Sequence, residues 1–264
     1  MSPTADITPL LKIMARLRDP ETGCPWDKVQ TYQSIVPFTL EEAYEVADTI
    51  ERMALDELPD ELGDLLFQVV FYCQLGKEQG IFDFATVVDR VCQKLTSRHP
   101  HVFGDIQLTS TTQVKQTWEA IKAKERQDKS LHSALDNIPV SLPALSRAVK
   151  IQKRVARVGF DWPDLGPVVD KIHEEFDEVL YEVKQKDVSP QKVQDEVGDL
   201  LFAVTNLARH LKVDPEQALR QANRKFEQRF RGVEQKALVS GKPMESHSLQ
   251  ELDVYWEQVK QELS

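Results

Sequence analysis

The chain states four of its motifs twice, and that duplication constrains the fold more than any other feature. Glu41-Glu42-Ala43-Tyr44-Glu45-Val46 is answered by Glu174-Glu175-Phe176-Asp177-Glu178-Val179, and Asp60-Glu61-Leu62-Gly63-Asp64-Leu65-Leu66-Phe67 by Asp195-Glu196-Val197-Gly198-Asp199-Leu200-Leu201-Phe202. Trp118-Glu119 followed by Lys122 returns as Trp256-Glu257 followed by Lys260, and Trp26 pairs with Trp162. Matching motifs in the same order mean two copies of one structural unit. With 264 residues, 41% of them hydrophobic, the chain has material for two cores. The division reads as a first domain over 1–127, a linker over 128–143 marked by Pro139 and Pro143, and a second domain over 144–264.

Both copies read as all-α. Only 10 residues are Gly while 29% are charged, a balance that favours helix over a turn-rich sandwich. Leu10, Ile13, Met14 and Leu17 recur at helical spacing, as do Leu145, Ala148, Ile151 and Val155, and each set leads into a loop holding the first Trp of its half. The glutamate motif is expected to open a second helix near 38–54 and 168–186. A third is expected at 57–75 and 190–211, with Pro59 and Pro190 in the first turn, and a fourth at 83–98 and 215–231, the latter started by Asp214-Pro215. Closing helices carry Trp118 and Trp256.

The net charge of −10 argues against a broad surface for nucleic-acid phosphates. The three cysteines, Cys24, Cys73 and Cys92, lack C-x-x-C spacing and read as reduced thiols. No basic, apolar leader begins the chain and no apolar run is long enough to span a bilayer, so the expected location is cytoplasmic.

Side chains three and four apart share a helix face, so Glu174, Glu175 and Glu178 project together, as do Glu196 and Asp199 on the next helix. Antiparallel packing of the two would gather four or five carboxylates, which repel unless a hard cation such as Mg²⁺ or Mn²⁺ lies among them. Plainer readings stand beside this one: a glutamate-rich face is usually solvated, and Thr39-Leu40-Glu41-Glu42 fits a capping box. Ile172 replaces that Thr in the second copy, yet the glutamates persist. Glu196 and Asp199 border Leu200, Leu201, Phe202 and Val204, a setting in which buried carboxylates need partners. Gly63 and Gly198 inside helices suggest close backbone approach or room for a ligand. A di-iron carboxylate bundle would show Glu-x-x-His, and none of the six His has Glu three residues before it. Lys225 and Arg229, echoed by Lys94 and Arg98, and Lys260 offer cations to phosphate oxygens, while Trp256 either stacks on a base or packs in the interior.

Glu-Glu-x-x-Glu followed by Glu-x-x-Asp resembles the MazG family of nucleotide pyrophosphohydrolases. The likeness extends to Cys24-Pro25-Trp26-Asp27, Arg98-His99-Pro100-His101-Val102-Phe103, Val158-Gly159-Phe160-Asp161-Trp162 and the tandem arrangement. The resemblance implies four-helix units, dimers, and Mg²⁺-dependent cleavage of nucleoside triphosphates between the α- and β-phosphates to NMP and pyrophosphate, with broad base tolerance. It implies metal ligands at Glu175, Glu178, Glu196 and Asp199, with Glu42, Glu45, Glu61 and Asp64 as first-half counterparts, and a water-orienting or basic role for Glu174. Lys171, Asn206 and Asn223, together with Lys225, Arg229, Trp256 and Lys260, are the candidate substrate contacts. Phe38, Phe71 and Cys92 stand where the second half has Lys171, Asn206 and Asn223, so the second half is the expected catalytic copy. A nucleotide-sensing or partner-binding helical scaffold without turnover is the alternative.

Overall fold

The computed structural model describes residues 6–106, 109–114, 117–118, 120–121 and 133–263. The chain divides into two compact units, Met1–Glu125 and Arg126–Ser264. The first contains α1 (Thr8–Leu17), α2 (Pro25–Val29), α3 (Tyr32–Glu51), α4 (Leu58–Glu78), α5 (Phe84–Arg98) and α6 (Pro100–Phe103). Helical residues also occur at 111–114, 117–118 and 120–121. The second contains α7 (Ala144–Ala156), α8 (Leu165–Val183), α9 (Pro190–His210), α10 (Pro215–Val239), a 3₁₀ turn at Met244–Ser246, and α11 (Leu249–Glu262). No strand occurs among the described residues, so the fold is all-α. Residues 128–132 of the expected linker, with Glu119 and Lys122, lie outside the described residues; 133–143 is turn-rich.

Each unit is organised around a helical hairpin, α3 with α4 and α8 with α9, the most extensive helix pairing in its unit. In the first unit α1 and α5 also pack on α4, and Met14, Ile35, Val70, Phe71 and Leu75 form the core, flanked by Leu10, Leu11, Phe67 and Tyr72. Burying a side chain the size of Phe71 contributes roughly 2–3 kcal/mol. In the second unit α7 packs on α9 and α10, and α10 on α11, seated by buried Val233, Ala237 and Val259. The interior around α8 and α9 is more polar, holding Gln152, Glu175, Glu182, Thr205 and Asn206 beside Val168 and Ala203.

Several boundaries differ from expectation. α3 begins at Tyr32, so its glutamates lie mid-helix rather than opening it. Its capping box is built by Thr31 and Ser34, not by Thr39 and Glu42: Ser34 N donates to Thr31 Oγ1 at 3.3 Å and Thr31 N to Ser34 Oγ at 2.9 Å. Thr39 instead turns inward, its hydroxyl 3.2 Å from the Ile35 carbonyl oxygen and 2.9 Å from Tyr72 Oη. Pro37 is carried inside α3 at the loss of one intrahelical bond. Trp26 lies in the short α2 rather than in a loop, its ring edge-on to Phe38 with centroids 5.5 Å apart. α10 continues through Gly232 to Val239, past the expected end at 231, and Gly232 serves packing, since a Cβ there would meet Val259 at 2.7 Å. The starts of α9 and α10 follow the proline reading, and Gln217 N donates to Asp214 Oδ1 at 3.0 Å.

Gly63 and Gly198 face open space: a Cβ at either would meet nothing within 4 Å. That excludes the close backbone approach and leaves room as the observed condition. Leu201, Phe202 and Val204 are largely exposed, so the apolar flank beside Glu196 and Asp199 is a surface and not the interior that the sequence suggested.

Candidate active site

The α8–α9 hairpin places its carboxylates by register. Near the connecting turn Lys192 Nζ lies 3.6 Å from Glu182, and further along Glu175 meets Asp199, as an antiparallel pairing requires. Glu175, Glu196 and Asp199 each offer a carboxylate oxygen, and these lie within 4.8 Å of one another. Glu175 is buried, Glu196 half-buried and Asp199 exposed, so only one of the three occupies the dry setting expected of the group. One oxygen of Glu175 accepts from Lys171 Nζ at 2.7 Å; the other is buried and has no hydrogen-bond partner. Leaving such an oxygen unmatched is costly, and a hard divalent cation held by carboxylates removes the deficit. Glu178 joins the group electrostatically: partial removal from water, and then the charges of Glu175 and Glu196, raise its pKa, with Lys171 opposing. Glu174 is outside the cluster and is tied to it by Lys171, whose ammonium also bonds Glu174 at 2.8 Å.

The first unit gathers Glu42, Glu45 and Glu61, likewise within 4.8 Å, so Glu45, the counterpart of Glu178, joins that group where the second unit has Asp199, the counterpart of Asp64. Removal from water raises the pKa of Glu42 and of Glu61, followed for Glu42 by the charge of Asp64 and for Glu61 by that of Glu45. No ammonium answers them from position 38, which is Phe.

Two cavities continue from the second cluster. The first, about 320 Å³, is lined by Lys171, Glu175, Asp199, Ala203 and Val168, and the second, about 410 Å³, by Ile151, Gln152, Val155, Gly159, Phe160, Asp161 and Arg209. Trp162, Phe202 and Asn206 line both. Gly159 adopts φ +89°, the left-handed conformation that favours glycine, and so turns the chain into the segment carrying Phe160, Asp161 and Trp162. Asp161 fastens that segment to α9: Arg209 donates to both of its oxygens, and the Arg209 guanidinium holds the Asp161 carboxyl below its ordinary pKa. Arg209 Nε also donates to Asn206 Oδ1 at 2.8 Å, which turns the Asn206 amide nitrogen away from Arg209. In the first unit the position of Asn206 is Phe71, buried in the core.

Lys171 and Asn206 are therefore brought to the carboxylates. The remaining candidates form a second group on α10 and α11, where Trp256 packs on Phe226 with centroids 5.2 Å apart, Arg229 lies 6.0 Å from the Trp256 ring, and Lys260 pairs with Glu257 at 2.8 Å. Asn223 and Lys225 are exposed on α10. Neither cavity is lined by any of these five. Sequence reasoning missed Gln152, Asp161 and Arg209. Gln152 carried a signal, since it falls on the apolar stripe of α7, four residues after Ala148 and three before Val155; of the Asp161–Arg209 pair, 48 residues apart, only Asp161 was marked, by its place in the Val158–Trp162 motif, and nothing marked Arg209 or the pairing.

Comparison with known proteins agrees with this geometry. The profile of the MazG nucleotide pyrophosphohydrolase domain matches residues 30–103 and again 168–233, covering both carboxylate hairpins. The chain is 56% identical over 253 residues to the nucleoside triphosphate pyrophosphohydrolase of Escherichia coli K12, covering 96% of each chain. It is 44% identical over 251 residues to the nucleoside triphosphate pyrophosphohydrolase/pyrophosphatase MazG of Thermotoga maritima, covering 95% of this chain and 94% of that one. With a nucleoside triphosphate pyrophosphohydrolase of Mycobacterium tuberculosis it shares 34% identity over 152 residues. The carboxylate pairs, their duplication and these matches lead to one conclusion: the chain belongs to the MazG nucleotide pyrophosphohydrolase family.

Proposed function

We propose that this enzyme hydrolyses nucleoside triphosphates between the α- and β-phosphates, releasing NMP and pyrophosphate with broad tolerance of the base. In this reading Glu175, Glu178, Glu196 and Asp199 hold Mg²⁺, or Mn²⁺, in the second half. The observation that carries it is the buried, unpartnered oxygen of Glu175 within a carboxylate cluster that opens onto cavities of nucleotide size. When bound, the cation supplies Lewis-acid stabilisation of the phosphate oxygens and lowers the pKa of an attacking water. Lys171 pairs with Glu175 and holds Glu174 at the rim, where Glu174 orients or deprotonates that water. Asn206 contributes an amide N–H at the junction of the cavities. Lys225, Arg229 and Lys260 neutralise charge on the pyrophosphate, with Asn223 and Trp256 beside them.

Because that second group lines neither cavity, the reading includes a homodimer that closes the site. It is supported by the large exposed apolar side chains Phe176, Leu201, Phe202 and Phe226. The working domain division is 1–127, a linker over 128–143, and 144–264, with the second domain catalytic. Phe38 and Phe71 support that choice by replacing the ammonium and amide of the second site. A cytoplasmic setting belongs to the same reading, supported by three free cysteines. Product analysis with Mg²⁺ and a panel of NTPs tests it. NMP and pyrophosphate, lost in Glu175→Gln and without Mg²⁺, are expected; NDP and phosphate would refute the cleavage position, and binding without turnover would indicate a nucleotide sensor.

A further inference from the structure

We propose that Gln152 is a specificity-determining residue that accepts a hydrogen bond from the Watson–Crick edge of the substrate base. This rests on the reading above, in which the larger cavity takes the nucleoside of a triphosphate whose phosphates lie toward Glu175 and Asp199.

The polar groups of that cavity are nearly all committed. Asp161 and Arg209 satisfy each other, and Asn206 Oδ1 accepts from Arg209 Nε. Gln152 differs: it is 4% exposed, and its Oε1 is buried without a partner. The amide orientation is fixed from the other side, since Gln152 Nε2 donates to the Phe202 carbonyl oxygen at 2.9 Å and a flipped amide would set two oxygens against each other. An acceptor fixed on a residue that lines this cavity can be matched by a donor from the cavity's occupant, water or the substrate base. The walls suit a flat heterocycle, with Trp162 and Phe160 on the loop and Phe202 on α9. Trp162, Phe202 and Asn206 line this cavity and also the smaller one beside Glu175 and Asp199, so the two adjoin.

A single neutral acceptor is a permissive reader. Adenine and cytosine meet it with the exocyclic amine, guanine with N1–H, and uracil and thymine with N3–H. The substrate class is thereby defined as triphosphates of bases with a donor on that edge, and bases lacking one are disfavoured because the buried oxygen stays unmatched.

The test compares kcat/KM for ATP and purine riboside 5′-triphosphate, which differ only by the 6-amino group, with pyrophosphate release as the readout. The full-length wild type should favour ATP by about tenfold or more. Gln152→Met, similar in length but without an acceptor, should bring the ratio close to one; because the ratio is internal to each variant, any general loss of activity cancels. Equal use of both substrates by the wild type, or an unchanged ratio in Gln152→Met, overturns the proposal. Should Gln152→Met fail to fold, CTP against 2-pyrimidinone riboside triphosphate on the wild type decides, with discrimination expected and equality refuting it. Failure of the underlying reading looks different, as the wild type would then release no pyrophosphate from ATP at all.

Discussion

Substituting Gly198 or Gly63 by Ala should stabilise the protein, against the usual outcome of mutating a helix beside a functional site. Each glycine lies well inside a 21-residue helix, where it forfeits about 1 kcal/mol relative to Ala through backbone entropy. The opposing term would be a clash, and a Cβ at either position meets nothing within 4 Å. The expected gain is therefore about 0.5–1 kcal/mol per substitution, or roughly 2–5 °C in the melting temperature of the unit concerned. Calorimetry on the metal-free protein, with denaturant titration at fixed temperature, measures it. Activity then separates the two positions. If the space beside Gly198 admits substrate, Gly198→Ala raises KM while stabilising, whereas Gly63→Ala leaves turnover as it was. Loss of stability in either variant would refute the open-space argument directly.

Three further outcomes are expected. The pKa of Glu178 is raised in the folded protein, so its contribution to stability is present at low pH and lost as pH rises through that value; Glu178→Gln should stabilise the metal-free protein at neutral pH, with the advantage shrinking on acidification toward pH ~4.5, and a pH-independent difference in denaturation midpoint would count against it. Asp161→Asn leaves the largely buried Arg209 poorly matched, costing about 1–2 kcal/mol, and frees Asn206 to turn; the KM for ATP should rise more than kcat falls, and an unchanged KM would remove Asn206 from the substrate site. Phe71→Ala should destabilise the first unit by about 3–4 kcal/mol, while turnover at 25 °C stays at the wild-type level; a matching loss of activity would place chemistry in the first half.

What could be read from the sequence was whatever repeats at short range. The duplication, the all-helical class, the cap at Asp214 and the paired carboxylates all follow from spacings of a few residues. Misreadings arose where one local signal imitated another. Thr39 followed by Glu42 has the form of a capping box, and Pro37 just before it resembles a boundary, yet Thr31 and Ser34 start the helix and carry it through both. Gly232 resembles a terminator, but α10 uses it for contact with Val259. The cavity walls were illegible for a different reason: the Arg209–Asp161 and Gln152–Phe202 contacts join residues 48 and 50 apart, and no local pattern encodes such pairings.

The comparison between halves also bears on why the second keeps so polar an interior. A core seeking stability alone would resemble that of the first unit, where Met14, Ile35, Val70, Phe71 and Leu75 enclose one another. The second unit buries Gln152, Glu175 and Asn206 instead, and leaves one oxygen of Gln152 and one of Glu175 without a partner. Each unmatched oxygen costs about 1–3 kcal/mol, a sizeable share of a domain's margin of stability. Packing offers no compensation, since cavities of about 320 and 410 Å³ adjoin the same residues. The first unit also buries unpartnered oxygens, on Tyr32 and Gln68, but in the second unit the two on Gln152 and Glu175 belong to residues lining adjoining cavities, which is where the proposed cation and base donor would relieve them. The first unit keeps a carboxylate cluster, but Phe71, in the position of Asn206, is buried in its core, so the amide that lines both cavities of the second unit has no counterpart there.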